Sequence, residues 1–335
     1  MLTDSFQRTI KYLRVSITDR CNLRCSYCRP EKCGNTSSNF EHIQHNEIMT
    51  YEELLRLASI FARLGVEKIR VTGGEPLVRK NVPEFVGDLL SIKGISDVSL
   101  TTNGVLLQDY AEALKAKGLK RINISLDSLV PDKFSKITGR NEFSRVWKGI
   151  QKVIELGLDP VKINVVAMRG INDDEFFDFA TLTLELPVHV RFIEFMPMAF
   201  TTGDSARNRI LSSEIIEKIE SQWVLEPIPK APSSGPAECF KIKNAPGTIG
   251  FISPISRHFC GECNRMRITA AGSLKPCLLS HDEIDIKAAL RSGADDDYLE
   301  NLIYSAVAIK WKRHEIENGM SPDGGGGGIM FRIGG

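Results

Sequence analysis

The 335-residue sequence lacks an apolar run long enough to span a bilayer, and its formal net charge is only +1. The missing basic excess argues against a nucleic-acid-binding protein, and the missing acidic tail argues against a long disordered segment. Residues 1–11 are polar and carry neither a signal-peptide core nor a transit-peptide pattern. We therefore expect no membrane or nucleic-acid partner and a cytoplasmic location, or the mitochondrial matrix if the source is eukaryotic and a presequence has been removed.

Cysteine is also scarce, because eight cysteines are too few to hold a chain of this length together by disulfides. Six of the eight fall into two local groups, which are Cys21, Cys25 and Cys28, and Cys260, Cys263 and Cys277. Cys33 and Cys239 stand apart from both groups. Local groups in a chain with no secretion signal favour metal ligation in a reducing compartment.

The first cysteine group has C-x₃-C-x₂-C spacing and directly follows an alternating, strand-like run. Three thiolates are one fewer than a closed zinc or iron–sulfur site needs. An iron–sulfur cluster at this place would therefore keep one iron open to another ligand. An open metal position is typical of a catalytic site and not of a structural one. The alternative is a structural zinc site with a distant fourth ligand, such as His42 or His45.

Six strand-like runs alternate with helical patterns in the first two thirds of the chain. The helical stretches have start and stop signals: residues 50–53 and 172–175 have capping-box spacing, and Gly65 and Gly118 stand where helices should end. Such an alternation predicts βα units and a parallel sheet. The predicted strands are residues 12–17, 68–72, 97–101, 121–126, 161–166 and 188–195.

These strands alternate apolar and polar residues, whereas parallel strands covered on both faces are usually apolar throughout. In the first strand Leu13 and Val15 alternate with Arg14 and Ser16. One face therefore packs on helices and the other lines a polar interior. Six such units predict an α/β fold, a partial (βα)₆ TIM-like barrel that is open along one side, with a wet cationic lumen.

The composition changes after the sixth strand. A stretch rich in proline, serine and glycine at residues 227–236 marks a boundary, and short strands, the second cysteine group and two helices follow it. We predict a barrel domain over residues 1–225 and a C-terminal α+β extension over residues 226–335. A run of five glycines at 324–328 precedes the end of the chain, and its role is open.

The turn Gly73-Gly74-Glu75-Pro76 follows the second strand. Together with Cys21, Cys25, Tyr27 and Cys28, it resembles the radical S-adenosylmethionine enzymes. The resemblance implies that the three cysteines hold a catalytic [4Fe–4S] cluster whose open iron binds S-adenosylmethionine, which is then cleaved to a 5′-deoxyadenosyl radical. It also implies cofactor contacts at Tyr27, Gly74, Glu75, Ser125 and Met196.

Longer motifs narrow the resemblance to one family, the GTP 3′,8-cyclases of molybdenum cofactor biosynthesis, which are lyases. They are residues 19–25, 68–77, 100–104, 122–127 and 190–197. The resemblance implies that Cys260, Cys263 and Cys277 hold a second [4Fe–4S] cluster facing GTP. Judged by spacing alone, a zinc site of His258 with these three cysteines is an equal alternative.

Basic residues recur on the polar faces of separate barrel strands. Charges that converge in a low-dielectric cavity need an anion to compensate them, and arginine binds phosphate oxygens in a bidentate manner. A triphosphate would serve that purpose. The resemblance makes the following residues GTP contacts: Arg14, Arg70, Thr101, Lys162, Arg191, Arg265 and Arg267.

The resemblance extends to the chain end, where Gly334 and Gly335 match a family tail that enters the active-site pocket and is needed for activity. It further implies a reducing electron donor, a homodimer, and cyclic pyranopterin monophosphate synthase as the enzyme that takes the product. Two rival interpretations stay open at this point. One is a radical enzyme that acts on a peptide or another nucleotide, and the other is a zinc-stabilised binding protein without catalysis.

Overall fold

Six parallel strands, paired in chain order, form the centre of the molecule. The computed structural model describes residues 1–28, 42–196, 209–230, 235–314 and 330–334. Each of the six predicted strands is confirmed to within one residue at either end. They are β1 (Tyr12–Ser16), β2 (Lys68–Thr72), β3 (Asp97–Thr102), β4 (Arg121–Ser125), β5 (Val161–Ala167) and β6 (Val188–Glu194).

Helices connect these strands, as the alternating pattern predicts. The predicted capping box at residues 50–53 is confirmed, since Thr50 and Glu53 exchange side-chain and backbone hydrogen bonds. None of the helices among the described residues has the length and apolar character to cross a membrane. The helices of this part are α1 (Tyr51–Arg63), α2 (Val82–Ser91), α3 (Leu107–Ala116), α4 (Pro131–Thr138), α5 (Phe143–Glu155) and α6 (Phe176–Glu185).

The predicted capping box at residues 172–175 is wrong. Helix α6 begins at Phe176, and its cap residue Glu175 makes no side-chain capping bond. The Glu175 carboxylate instead accepts hydrogen bonds from the Ser128 hydroxyl and the Leu129 amide. The Asn172 side chain is likewise engaged elsewhere, with the carbonyl of Asp127. Contacts with the loop after β4 have replaced the local capping pattern.

The C-terminal residues enlarge the same sheet at both edges. Strand β9 (Thr248–Ile252) pairs in parallel with β6, and β10 (Arg265–Ile268) pairs in parallel with β1. The twelve-stranded order is β12-β11-β10-β1-β2-β3-β4-β5-β6-β9-β8-β7. The partial barrel is therefore extended by the C-terminal segment, while the boundary at residue 225 stays a prediction. The other elements are β7 (Leu225–Ile228), β8 (Glu238–Ile242), β11 (Ser273–Lys275), β12 (Ile284–Asp285), α7 (Ser212–Glu220), α8 (Ile286–Arg291), α9 (Asp296–Ala308) and α10 (Met330–Ile333).

The core lies between the strands and the helices. Leu13, Val15, Ile69 and Val71 are all at most 1% exposed and belong to one apolar cluster that includes Phe61 of α1. The residues that alternate with them face the opposite side. This arrangement leaves the polar face of the sheet for the barrel interior and so positions the site described next.

Candidate functional site

The first cysteine group lies on the loop that follows β1. The amide of Cys28 donates to the carbonyl of Cys25 at 3.0 Å. The amides of Arg24 and Ser26 donate to carbonyls at the end of α4, Thr138 at 2.8 Å and Ile137 at 3.0 Å. Backbone hydrogen bonds therefore hold the cysteines at the carboxyl-terminal edge of the strands.

The three sulfurs of this loop are close enough to influence one another. Burial raises the pKa of the Cys25 thiol well above its usual value, and Asp127, Cys28 and Cys21 act in the same direction. Coordination to a metal cation deprotonates a thiol, and three cysteines on one loop supply three such ligands. The chemistry of the donor set therefore fits a cationic metal group.

The spacing of the sulfurs distinguishes a cluster from a single ion. Thiolates on one tetrahedral zinc lie about 3.8 Å apart, given zinc–sulfur bonds of about 2.3 Å. Within the described part of the chain, which includes all six grouped cysteines, neither cysteine group brings its three sulfurs within 4.8 Å of one another. His42, an alternative zinc ligand, lies 3.2 Å from an Asp19 oxygen instead. The three sulfurs of each group are thus not gathered as closely as a single tetrahedral zinc would hold them.

Asn103 contacts the first cysteine group from the end of β3. Its side-chain amide donates to Cys21 Sγ at 3.6 Å and to the Asn22 side-chain oxygen at 2.7 Å. Such bonds stabilise a thiolate. We did not predict this role, although the position of Asn103 directly after a barrel strand was a usable signal.

The Gly-Gly turn after β2 packs against the start of the cysteine loop. The amide of Gly74 donates to the carbonyl of Thr18 at 2.7 Å. A Cβ atom at Gly74 would lie 2.5 Å from the carbonyl oxygen of Arg20. The close approach that requires glycine here is therefore to protein backbone, and the contact of Gly74 with the cofactor stays a prediction.

Glu75 is fully buried, and its carboxylate is engaged within the protein. It accepts hydrogen bonds from the amides of Leu77 at 3.0 Å and Asn103 at 2.6 Å, and from the Thr102 hydroxyl at 2.7 Å. Burial raises the pKa of Glu75 to about 7. The structure thus places this predicted cofactor residue where it fixes Asn103 and the end of β3.

The other predicted cofactor residues lie at the same edge of the sheet. The Tyr27 hydroxyl donates to Asp127 at 2.6 Å, and burial raises the pKa of Asp127 to about 6. Ser125 ends β4, and Met196 follows β6 and packs against Ile333 of the chain end. Tyr27 and Gly74 therefore lie on or against the loop of the first cysteine group, whereas the contacts of Met196 are with the apolar cluster that includes Ile333 and Cys277.

The predicted GTP-binding cations line the lumen in adjacent rows. Arg14 stands in register with Arg70 on one side and Arg267 on the other. Burial lowers the pKa of Arg14 well below its usual value, and Arg267 and Arg70 lower it further. Burial, followed by Arg191, Arg121 and Arg70, lowers the pKa of Lys162 to about 7. Like charges thus converge in this cavity at an electrostatic cost.

Two of these cations have no carboxylate partner within the described ranges. Lys162 and Arg191 make no ion pair with any described residue, and burial lowers the pKa of Arg191 to about 10. Asp97 does bind a cation, but it is committed to Arg121. The buried polar atoms that lack a hydrogen-bond partner among the described residues include four on strands β1, β3, β4 and β5: Tyr12 Oη, Thr101 Oγ1, Asn123 Oδ1 and Asn164 Oδ1. Buried donors and acceptors without partners point to a polar, anionic ligand in the lumen.

The chain end enters this lumen. The carbonyl of Gly334 accepts a hydrogen bond from Arg267 at 2.6 Å. Gly334 has φ +74°, and a Cβ atom there would lie 2.6 Å from Thr72 and 3.2 Å from Ser16. Only glycine fits this passage without displacing its neighbours. Gly335, the glycine run 324–328 and Cys33 lie outside the described residues.

The second cysteine group flanks β10. Burial raises the pKa of the Cys260 thiol, and Cys277 and Cys263 reinforce the shift. Cys260 also lies within 4.8 Å of His258 and His314, whose ring nitrogens are 3.0 Å apart. The zinc alternative required His258 to join all three cysteines, and the structure does not bring these four together.

Two residues near this group had no signal in the sequence. Lys310 reaches Cys263, and His314 reaches His258 and Cys260, both from beyond α9. The predicted GTP contact Arg265 is separated from Cys263 by one residue. Its guanidinium carbon lies 5.3 Å from the centre of the Phe259 ring. The structure therefore places the second cysteine group, Arg265 and Arg267 at one edge of the lumen.

Family models match nearly the whole chain in two parts. The Radical SAM superfamily matches residues 15–183, and Molybdenum Cofactor Synthesis C matches residues 188–316. The GTP 3′,8-cyclase of Syntrophomonas wolfei subsp. wolfei is 45% identical over 334 residues and covers 100% of both chains. Those of Desulforamulus reducens and Moorella thermoacetica are 47% identical, over 95% of this chain and 96% of each relative.

Solved structures resemble the chain in fold. Streptococcus suis SuiB bound to S-adenosylmethionine superposes with a TM-score of 0.62 at 15% identity, over 90% of this chain and 68% of that one. SuiB bound to its precursor peptide SuiA gives the same TM-score at 13% identity. These likenesses concern the fold alone and say nothing about the substrate.

Proposed function

Because the chain belongs to the GTP 3′,8-cyclase family within the radical S-adenosylmethionine superfamily, we propose that it converts GTP to 3′,8-cyclo-7,8-dihydroguanosine 5′-triphosphate. This reaction is the first step of molybdenum cofactor biosynthesis. The observation that carries the proposal is the buried cationic lumen between the two cysteine groups, where Lys162 and Arg191 make no ion pair with any described residue. A triphosphate supplies the compensating charge.

Cys21, Cys25 and Cys28 would hold one [4Fe–4S] cluster, and Cys260, Cys263 and Cys277 the second. When bound, the first cluster and S-adenosylmethionine supply one-electron chemistry that abstracts hydrogen from the substrate. Asn103 donates to Cys21 and so orients a cluster ligand. The Tyr27 hydroxyl donates a hydrogen bond to Asp127 and so restrains the loop that carries these cysteines.

The lumen cations bind and orient the substrate. Arg14, Arg70, Lys162 and Arg191 neutralise the triphosphate, and Thr101, Arg265 and Arg267 contact the same nucleotide. Bidentate guanidinium contacts hold a phosphate in one orientation, which restricts the ribose and base to a reactive arrangement. Gly334 lines the same cavity and excludes water from it without adding a side chain.

The proposal is tested by anaerobic reconstitution followed by a turnover assay. We expect about eight irons with matching sulfide per chain. With reductant, S-adenosylmethionine and GTP, we expect 5′-deoxyadenosine and a cyclised nucleotide to form in equal amounts. Stoichiometric zinc, or 5′-deoxyadenosine that forms equally without GTP and with no cyclised product, contradicts the proposal.

A matched pair of variants links the assay to the lumen. Arg191→Met should weaken GTP binding strongly, because it removes a buried cation that faces the cavity. Arg169→Met is the control, since Arg169 is a surface arginine paired with Glu214. Equal binding by both variants would contradict a triphosphate site in the lumen.

The remaining assignments rest on family membership alone. We propose a low-potential electron donor for the first cluster, a cytoplasmic location and transfer of the product to cyclic pyranopterin monophosphate synthase. We also propose a homodimer. Sedimentation equilibrium of the reconstituted protein tests the homodimer directly, and a single species at the monomer mass contradicts it.

A further inference from the structure

Lys310 places a buried positive charge at the second cysteine group. The residue is 3% exposed and follows α9. Its Nζ donates to Cys263 Sγ at 3.7 Å, to the carbonyl of Arg265 at 3.0 Å and to the carbonyl of Pro276 at 2.5 Å. One ammonium group thus bridges the segment that carries Cys263 and the segment that leads into Cys277.

Among the described residues, no carboxylate pairs with this charge. Lys310 forms no ion pair with the residues that the structure describes, and its oxygen partners are neutral carbonyls. A buried ammonium is costly unless a negative group compensates it. Among its described hydrogen-bond partners, the one that can carry negative charge is the sulfur of Cys263.

The sulfur contact is one-sided. Among the described residues, the hydrogen bond that Lys310 Nζ makes to this cysteine group is to Cys263 Sγ, so the ammonium lies at one of its three sulfurs.

We propose that Lys310 is a positioning residue and the counter-charge of the second cluster. The inference rests on the proposed cluster at Cys260, Cys263 and Cys277. A cluster ligated by three thiolates is anionic, and an electron from an added reductant such as dithionite makes it more so, without breaking a bond. The fixed ammonium stabilises the reduced form more than the oxidised form and so raises the cluster's midpoint potential.

The test isolates the second cluster by replacing Cys21, Cys25 and Cys28 with alanine in the full chain. In this background Lys310→Gln keeps a donor for the carbonyls but removes the charge, whereas Lys310→Arg keeps the charge. Lys230→Gln is the matched control, because Lys230 is exposed and pairs with Glu262 beside the same cysteines. The readouts are iron and sulfide content and an EPR-monitored redox titration.

We expect Lys310→Gln to lower the ratio of reduced to oxidised cluster at a fixed potential at least tenfold, a shift of about 59 mV to more negative potential. Lys310→Arg and Lys230→Gln should stay near the parent value. Loss of the cluster in Lys310→Gln but not in Lys310→Arg also supports the proposal, because the two differ in charge.

Other outcomes overturn it. An unchanged midpoint potential in Lys310→Gln, or equal cluster loss in the Gln and Arg variants, would mean that Lys310 only links the two cysteine-bearing segments structurally. Failure of the parent variant to bind any iron refutes the proposed second cluster instead. The two failures are therefore distinguishable.

Discussion

Lys162 should make GTP binding depend on pH in a direction that the structure specifies. Its pKa is lowered to about 7 by burial and then by Arg191, Arg121 and Arg70. Below pH 7 the free protein already carries the charge, so binding takes up no proton. Above pH 7 Lys162 must gain a proton before it can face the triphosphate, so affinity falls as pH rises.

The size of the effect follows from the two pKa values. If the bound triphosphate restores the ordinary lysine pKa of about 10.4, the pKa of Lys162 rises from about 7 by at most about 3.4 units, which corresponds to about 5 kcal/mol. Between about pH 7 and pH 8.5 the dissociation constant should therefore rise by up to about tenfold per unit. Partial screening in a wet lumen makes this an upper bound.

Isothermal titration calorimetry tests the prediction. Titrations of GTP into the reconstituted protein at pH 8, in buffers of different ionisation enthalpy, should show an uptake of close to one proton. Lys162→Met should bind more weakly at pH 6.5 and lose most of the pH slope. Lys148→Met, at an exposed position of α5, is the control and should retain both. An identical pH slope in Lys162→Met and the parent would refute the reasoning.

Three further substitutions test the site's packing. Gly334→Ala should abolish turnover while the protein stays folded, because its Cβ would lie 2.6 Å from a Thr72 methyl group. Gly170→Ala is the control, since Gly170 has a similar φ of +72° and a Cβ there would meet no atom within 4 Å. Equal inactivation by both variants would contradict the argument. Gly74→Ala should lower the free energy of unfolding by about 1–3 kcal/mol by thermal denaturation and loosen the cysteine loop; Gly235→Ala, with open space around it, should not. Tyr27→Phe removes the bond to Asp127 and should cost about 1–3 kcal/mol; an unchanged melting temperature and unchanged iron retention would contradict that anchoring role.

Much of the barrel could be predicted from short-range patterns. Strand alternation located β1 to β6 to within a residue, because a polar lumen and an apolar outer face impose a period of two on each strand. The spacing of Cys21, Cys25 and Cys28 likewise sets a three-ligand group within a single loop. The outcome at Asn172 shows the limit, since contacts with the loop after β4 displaced a locally plausible cap.

Part of the candidate site could likewise be predicted from the sequence, and part depends on the tertiary structure. Arg14 and Arg70 were predictable because each stands on the polar face of its own strand. That Glu75 holds Asn103, and that Asn103 reaches Cys21, depends on how two adjacent strand ends meet.

The sequence by itself determined the strands, the two cysteine groups and the cationic face, because each depends on residues that are close along the chain. Only the tertiary structure decided that β10 pairs with β1, that Gly334 meets Arg267, and that Lys310 lies against Cys263. The partners in these contacts are separated by long stretches of chain. Burial of the whole sheet, rather than any local preference, selects such pairings, and no short segment records them.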